Sequence, residues 1–202
     1  MIVNTSNVNS SSSKQCTLPS GLNRYVLFMI GDSSDAYSYY PNTVTIAGVV
    51  ATMIAQTGAG TQATSIWGAC IPDSVAAGLY DIVLDGSSFH YFFTAVFTGV
   101  SRDAVVDSDA LYISSDSDGN SLTVDCVGGG WVHDIVYTEP AKTAGAGQTV
   151  IYNETGGAGV SYKSGLAHGT TTMAWTWTDS RSGHAVVSLR PYRATGGSIM
   201  MI

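Results

Sequence analysis

Charge is what this 202-residue sequence has least of. Only 11% of its residues are Asp, Glu, Lys or Arg, against roughly a quarter in ordinary soluble domains. A surface so thinly charged is poorly protected against association, so burial against partners is expected. Positive charge is scarcer still: eight Lys and Arg against fifteen Asp and Glu leave a net charge of -7. The eight are spread from Lys14 to Arg193 and form no basic stripe for a phosphate backbone, which argues against nucleic acid as a partner. Cysteine is also sparse. Cys16, Cys70 and Cys126 are an odd number without paired metal spacing, so they offer neither a complete disulfide framework nor a zinc site; they are expected as buried thiols. No run of about 18 apolar residues exists to form a membrane-crossing helix, and no membrane partner is expected. The opening MIVNTSNVNSSSSK lacks the cationic and apolar stretches of a secretory leader. A chain made in a cytoplasm and soluble there is the expectation, although a mature chain whose leader had been removed would read the same way. Helical periodicity with caps is missing throughout, and with it the helices of an α/β scaffold.

What is present is strand grammar. Over 171–178, Met173, Trp175 and Trp177 fall on one face and Ala174, Thr176 and Thr178 on the other, the period of two of a half-buried strand. Over 184–190 the inward set is Ala185, Val187 and Leu189. Residues 179–183 between these runs suit a hairpin loop. Residues 24–30 are hydrophobic without a break, which predicts burial on both faces. Further strands are predicted at 43–48, 51–55, 64–70, 79–85, 89–98, 110–114, 121–127, 148–153 and 160–163. Asp-Gly pairs at 85–86 and 118–119 read as hairpin turns. Phe89, Tyr91, Phe93, Ala95 and Phe97 make an aromatic stripe suited to a core, with His90, Thr94 and Thr98 opposite. About a dozen short strands at spacings near ten residues predict an all-β fold, a single antiparallel β-sandwich of jelly-roll type. At this length one domain can bury roughly 70% of its unfolded surface without a metal or disulfide. The expected organisation is an N-terminal arm at 1–19, the sandwich at 20–192 and a C-terminal tail at 193–202.

The succession SGLNRYVLFMI, FFTAVFTGVSRDAVVDS, SLTVDCVGG, AGAGQTVIYNETGGAGVSYKSG and TTTMAWTWTDSRSGHAVVSLRP resembles a glycine- and serine-rich β-sandwich module of tailed-phage structural proteins and bacterial surface proteins. The resemblance spans about 20–191 and implies a virion or surface context. It brings no active-site residues.

Four constellations could carry chemistry. Ser114, Asp116, Asp118, Gly119 and Asp125 occupy positions one, three, five, six and twelve of a calcium-loop template. Position one is Ser and position twelve lacks the bidentate Glu, and both flanks read as strands, so a plain turn is the expectation. YVLFMIGDSSDAY resembles the nucleophile block of GDSL-type hydrolases, with Ser33 as the nucleophile. The closing Asp-x-x-His of that family is absent, and Asp179 and His184 are five residues apart. His90, His133, His168 and His184 show no metal-ligand spacing. Tyr37, Tyr39, Tyr40, Trp67 and Trp131 would stack on sugars if they shared a surface, but core packing is the commoner fate of such rings.

No catalytic, cofactor-binding or metal-binding residue is therefore assigned, and no cofactor. The polar arm and the apolar run at 199–202 suit assembly. The expectation is a non-enzymatic structural protein of a phage virion, a capsid decoration (cement) protein or short fibre component, made in the host cytoplasm. It would form a homo-oligomer, a trimer by preference, and bind the major capsid protein or other virion proteins. The rival is a carbohydrate- or cell-surface-binding β-sandwich module, assisted by calcium at the Asp-rich turn.

Overall fold

The computed structural model describes residues 14–32, 40–57, 62–85 and 91–192. Every regular element among them is a strand. The first half contains β1 (Gln15–Leu18), β2 (Arg24–Asp32), β3 (Val44–Ile46), β4 (Val49–Val50), β5 (Thr52–Gln56), β6 (Ala63–Ile71), β7 (Gly78–Leu84) and β8 (Tyr91–Phe97). The second contains β9 (Val100–Cys126), β10 (Trp131–Thr138), β11 (Thr143–Ala144), β12 (Thr149–Asn153), β13 (Gly157–Ser164) and β14 (Gly169–Pro191). They form three sheets, ordered β1-β7-β3-β4, β5-β6-β2-β8 and β11-β14-β10-β13-β12, with β9 on β14. All pairings are antiparallel.

The chain is thus the antiparallel β-sandwich its patterning predicts, but a deeper one than two sheets. β2 lies at the centre of the middle sheet and is buried at every residue, as its unbroken hydrophobicity predicts. Val26, Phe28 and Ile30 join Val44, Ile46, Ile71 and Ile82 in one core, between the β1-β7-β3-β4 sheet and the middle sheet. Leu27 and Met29 face the other way, into a core shared with Ile135, Val160, Ala185, Val187 and Leu189 of the third sheet. β8 divides likewise. Its stripe of Phe93, Ala95 and Phe97 enters the second core, while Phe92 stacks on Phe28 in the first with ring centroids 5.6 Å apart. Phe89 and His90 lie outside the described residues.

The third sheet contains a fold-back. Sequence patterning places hairpins at Asp118-Gly119 and over 179–183; the structure replaces both with one bend shared by two long strands. β9 and β14 pair along nearly their whole length, from Gly169 with Cys126 to Pro191 with Val100, and the ladder slips between Thr176 and Ser182. The two turn signals sit opposite each other: Thr176 pairs with Gly119 and Ser180 with Ser117. Gly119 has φ 150° and Asp179 φ 47°. Asp118 Oδ1 accepts the Asp179 amide at 3.1 Å, and Ser117 Oγ donates to the Ser180 carbonyl at 3.2 Å. Met173 and Val186 lie in the same apolar cluster, with Leu122, Val124 and Val132. A straight strand would hold them about 43 Å apart, at roughly 3.3 Å per residue. The ribbon therefore doubles over, as strands do at sandwich corners, and its far half forms a fourth layer on the outer face of β10.

Two further expectations shift. Residues 15–18, assigned to the arm, form β1, paired with β7 from Gln15 with Asp81 to Leu18 with Gly78. Residues 184–189 are buried on both faces, because Val186 and Ser188 face the fourth layer while Ala185, Val187 and Leu189 face the middle sheet. Met173, Trp175 and Trp177 point inward as predicted. The tail, 193–202, lies outside the described residues.

Candidate functional site

The densest polar chemistry lies between the third and fourth layers, around Asp134 of β10. Asp134, His184, Ser161 and Trp175 are all fully buried. Asp134 Oδ1 accepts the Ser161 amide at 3.1 Å and the Ser161 hydroxyl at 2.5 Å. Its Oδ2 accepts the Trp175 indole N–H at 2.8 Å and lies 3.1 Å from His184 Nε2. Gln148 extends the chain: its Nε2 donates to Ser161 Oγ at 2.7 Å, and its Oε1 accepts the Ala174 amide at the same distance. Strand alternation explains the convergence. β10 sends Val132, Asp134 and Val136 to this face, β14 sends His184 and Val186 from one half and Trp175 from the other, and the fold-back closes them together.

A serine, an aspartate and a histidine in one network invite comparison with a hydrolase triad, but the order is wrong. In a triad the histidine stands between nucleophile and acid and takes the serine proton. Here the carboxylate stands between them, the Ser161 hydroxyl donates to it, and the site has no opening. The four donors instead satisfy a buried carboxylate, which would be costly to dehydrate unpaired.

The other polar interior groups are equally enclosed. His133, on the opposite face of β10, is fully buried with neither ring nitrogen bonded. It stacks on Tyr162 at 5.4 Å and meets Phe97 edge-on at 5.2 Å; burial pushes its pKa down to about 3. Among the described residues the Arg24 guanidinium meets no carboxylate; it donates to the carbonyls of Pro19, Pro72, Val75 and Ala76, fastening the 72–76 turn to the start of β2. Lys142 donates to the Glu154 carbonyl; burial draws its amine down to about 8 against the opposing pull of the Glu154 charge.

The residues singled out by sequence do not come together. Ser114, Asp116, Asp118, Gly119 and Asp125 lie along one extended strand, β9, with its bend among them, so the calcium-loop template has no loop to wrap. Among the described residues no group of three or more His, Cys, Asp or Glu is placed to hold a metal. Ser33 lies outside the described residues, as do Tyr37 and Tyr39. Asp179 is exposed at the bend while His184 is sealed against Asp134. Trp67 is buried in the first core, its indole donating to Ser65 Oγ at 3.1 Å. Trp131 packs on Phe97. The Tyr40 hydroxyl bonds to the carbonyl and side chain of Thr57, both at 2.9 Å, and burial pushes its pKa up to about 12. The described rings share no surface for a sugar. All three cysteines are free thiols; burial raises Cys16 to about 11.

The exposed chemistry is apolar. On the outer face of the first sheet Val50 pairs with Thr45 and Thr45 with Val83, so the three form a row. Leu79 stands on the same face, four residues along β7 from Val83, with Asp81 between them. Val50, Leu79 and Val83 are 68%, 62% and 60% exposed, beside a polar pair in which Gln15 donates to Asp81 at 2.8 Å. Sequence reading places strands here but says nothing of which face is open, because Val83 and Ile82 look alike until the sheet below is known. No family model, no curated protein and no solved structure matches the chain.

Proposed function

We propose that this protein is a non-enzymatic structural subunit of a phage particle, a capsid decoration or short fibre component that works by burial against the shell or sister subunits. The observation that carries the reading is the outer face of the first sheet, where Val50, Leu79 and Val83 stand in water in a chain with little charge to keep copies apart. Exposed apolar side chains gathered on one sheet face, here interrupted by Thr45 and Asp81, are a feature of interaction surfaces. The interior is compatible with the same reading, since Asp134, Ser161 and His184 are sealed in a packing network. A homo-oligomer with cyclic symmetry would place this face on a neighbour. The test is native mass spectrometry of the purified protein and quantitative mass spectrometry of purified particles, for the parent and for Leu79→Lys with Val83→Lys. The expected result is a multimer and stoichiometric occupancy in the parent, both reduced in the double variant at unchanged Tm. A monomer absent from particles would overturn the proposal.

A further inference from the structure

At one end of the third and fourth layers two turns and a strand end converge. β9 runs into the turn at 127–130, β13 into the turn at 165–168, and β14 finishes at Pro191. The turns are tied together: the Gly129 amide donates to the Leu166 carbonyl at 2.8 Å, and the Cys126 thiol donates toward the carbonyls of Ala167 and Gly169 at 3.3 and 3.1 Å. They are therefore held by the core and not left to wander.

Between them lies a cavity of about 270 Å³, lined by Val127, Gly128, His168, Arg190 and Pro191. Two of these five residues carry nitrogen donors and none is acidic, in a chain whose net charge is -7. Three of the other cations have settled partners: Arg24 holds carbonyls, Lys142 holds the Glu154 carbonyl, and Lys163 holds the Thr172 carbonyl. Arg190 and His168 form no hydrogen bond or ion pair with any described residue. Arg190 Nε is moreover shielded from solvent without an acceptor, an unfavourable condition that an incoming acceptor would relieve.

We propose that this cavity binds a small carboxylate, the acid lying on the fork of Arg190 with His168 as a second donor and the rest of the ligand against Val127 and Pro191. A guanidinium offers parallel N–H groups that match a carboxylate's two oxygens. The volume falls below the roughly 300–1,000 Å³ of drug-sized sites, which limits the ligand to something like acetate or a single acidic sugar. Loops fixed at the end of a rigid sheet stack are where such sites are commonly carried. The inference is independent of the virion reading.

The experiment follows the His168 ring resonances by NMR at constant ionic strength while sodium acetate, glucuronate or phosphate is added. A saturable shift with a carboxylate, at a Kd on the order of 1 mM, is expected, weakened about tenfold in Arg190→Gln and less in Arg190→Lys, with Tm confirming that each variant is folded. Tighter binding of glucuronate than acetate would place the sugar ring on Val127 and Pro191; equal binding would make the carboxylate alone the ligand; both support the site. No saturable shift, binding undiminished in folded Arg190→Gln, or phosphate preferred over both carboxylates would overturn it. Should Arg190→Gln fail to fold, His168→Ala in the exposed turn, read by calorimetric titration with glucuronate, decides the matter the same way.

Discussion

Replacing Trp175 separates the two things it does. Its ring fills the space between the third and fourth layers, where Val136 and Trp177 pack with it, and its N–H is one of the four donors to the buried Asp134 carboxylate. Trp175→Phe keeps most of the ring and removes the donor. A hydrogen bond to a charged group is worth about 1.5–3 kcal/mol, and the Asp134 oxygen has no water to turn to, so a loss of about 2–3 kcal/mol is expected. Trp175→Ala adds the cavity and the transfer term, about 3–5 kcal/mol, a large share of the roughly 5–15 kcal/mol that holds a domain together; this variant should be scarcely folded. Urea unfolding followed by far-ultraviolet circular dichroism measures both, provided the slopes match. In a double-mutant cycle with Asp134→Asn the coupling should exceed about 1 kcal/mol. A loss under about 0.5 kcal/mol in Trp175→Phe would refute the reasoning, since Asp134 would then not depend on that donor.

Gly159→Ala should destabilise by about 1–3 kcal/mol, because a Cβ there would sit 2.9 Å from Trp175 Cη2 and 3.0 Å from Lys142 Cδ; an unchanged urea midpoint would mean that the layers part easily. His133 stays neutral in the fold well below the value near 6.5 at which it protonates in the unfolded chain. Its contribution is complete above that pH and drains away as pH falls toward about 3. At about 1.4 kcal/mol per unit, His133→Leu should lessen the stability lost between about pH 6.5 and 4.5 by roughly 2–3 kcal/mol, and equal losses in parent and variant would refute the assignment. Because β9 is extended through Asp116 and Asp118, millimolar calcium should leave Tm unchanged in the parent and in Asp116→Asn with Asp118→Asn. A calcium-dependent rise confined to the parent would reveal a bound ion, since a ligand of the folded state must stabilise it.

The strand content and the inward faces were legible in sequence wherever one face of a strand is wet or its burial is unbroken, as at 24–30 and 171–178. The layering was not. Asp118-Gly119 and 179–183 are local turn signals, and nothing local says that each sits opposite the other on paired strands and produces a common bend. β10 escaped prediction altogether, because WVHDIVYT carries His133 and Asp134 in a strand buried on both sides, and two adjacent polar residues read as a loop until their partners, Tyr162 and Phe97 for one and Ser161, Trp175 and His184 for the other, are known. The same blindness hid the Asp134 network, whose members come from three strands and the turn before β12, and the Arg190 cavity, formed by the ends of three. The separated candidates, Asp179 with His184 and the tyrosine and tryptophan set, show the converse: proximity in sequence or kinship of type carries no geometry.

The doubled ribbon also sets the order in which this protein can be made. Its rung closest in sequence joins Cys126 to Gly169 and its most distant joins Val100 to Pro191, so no part of it can zip as a local hairpin on the ribosome. Until β14 has emerged, β9 waits with an unsatisfied edge, and long-range ladders of this kind form slowly. The acids along β9, Asp103, Asp107, Asp109, Asp116, Asp118 and Asp125, remain exposed or half-exposed in the finished molecule. Charge along an unpaired strand disfavours edge-to-edge pairing between copies, and that edge is unpaired until the last strand arrives, doubles over and seals Trp175 onto Asp134.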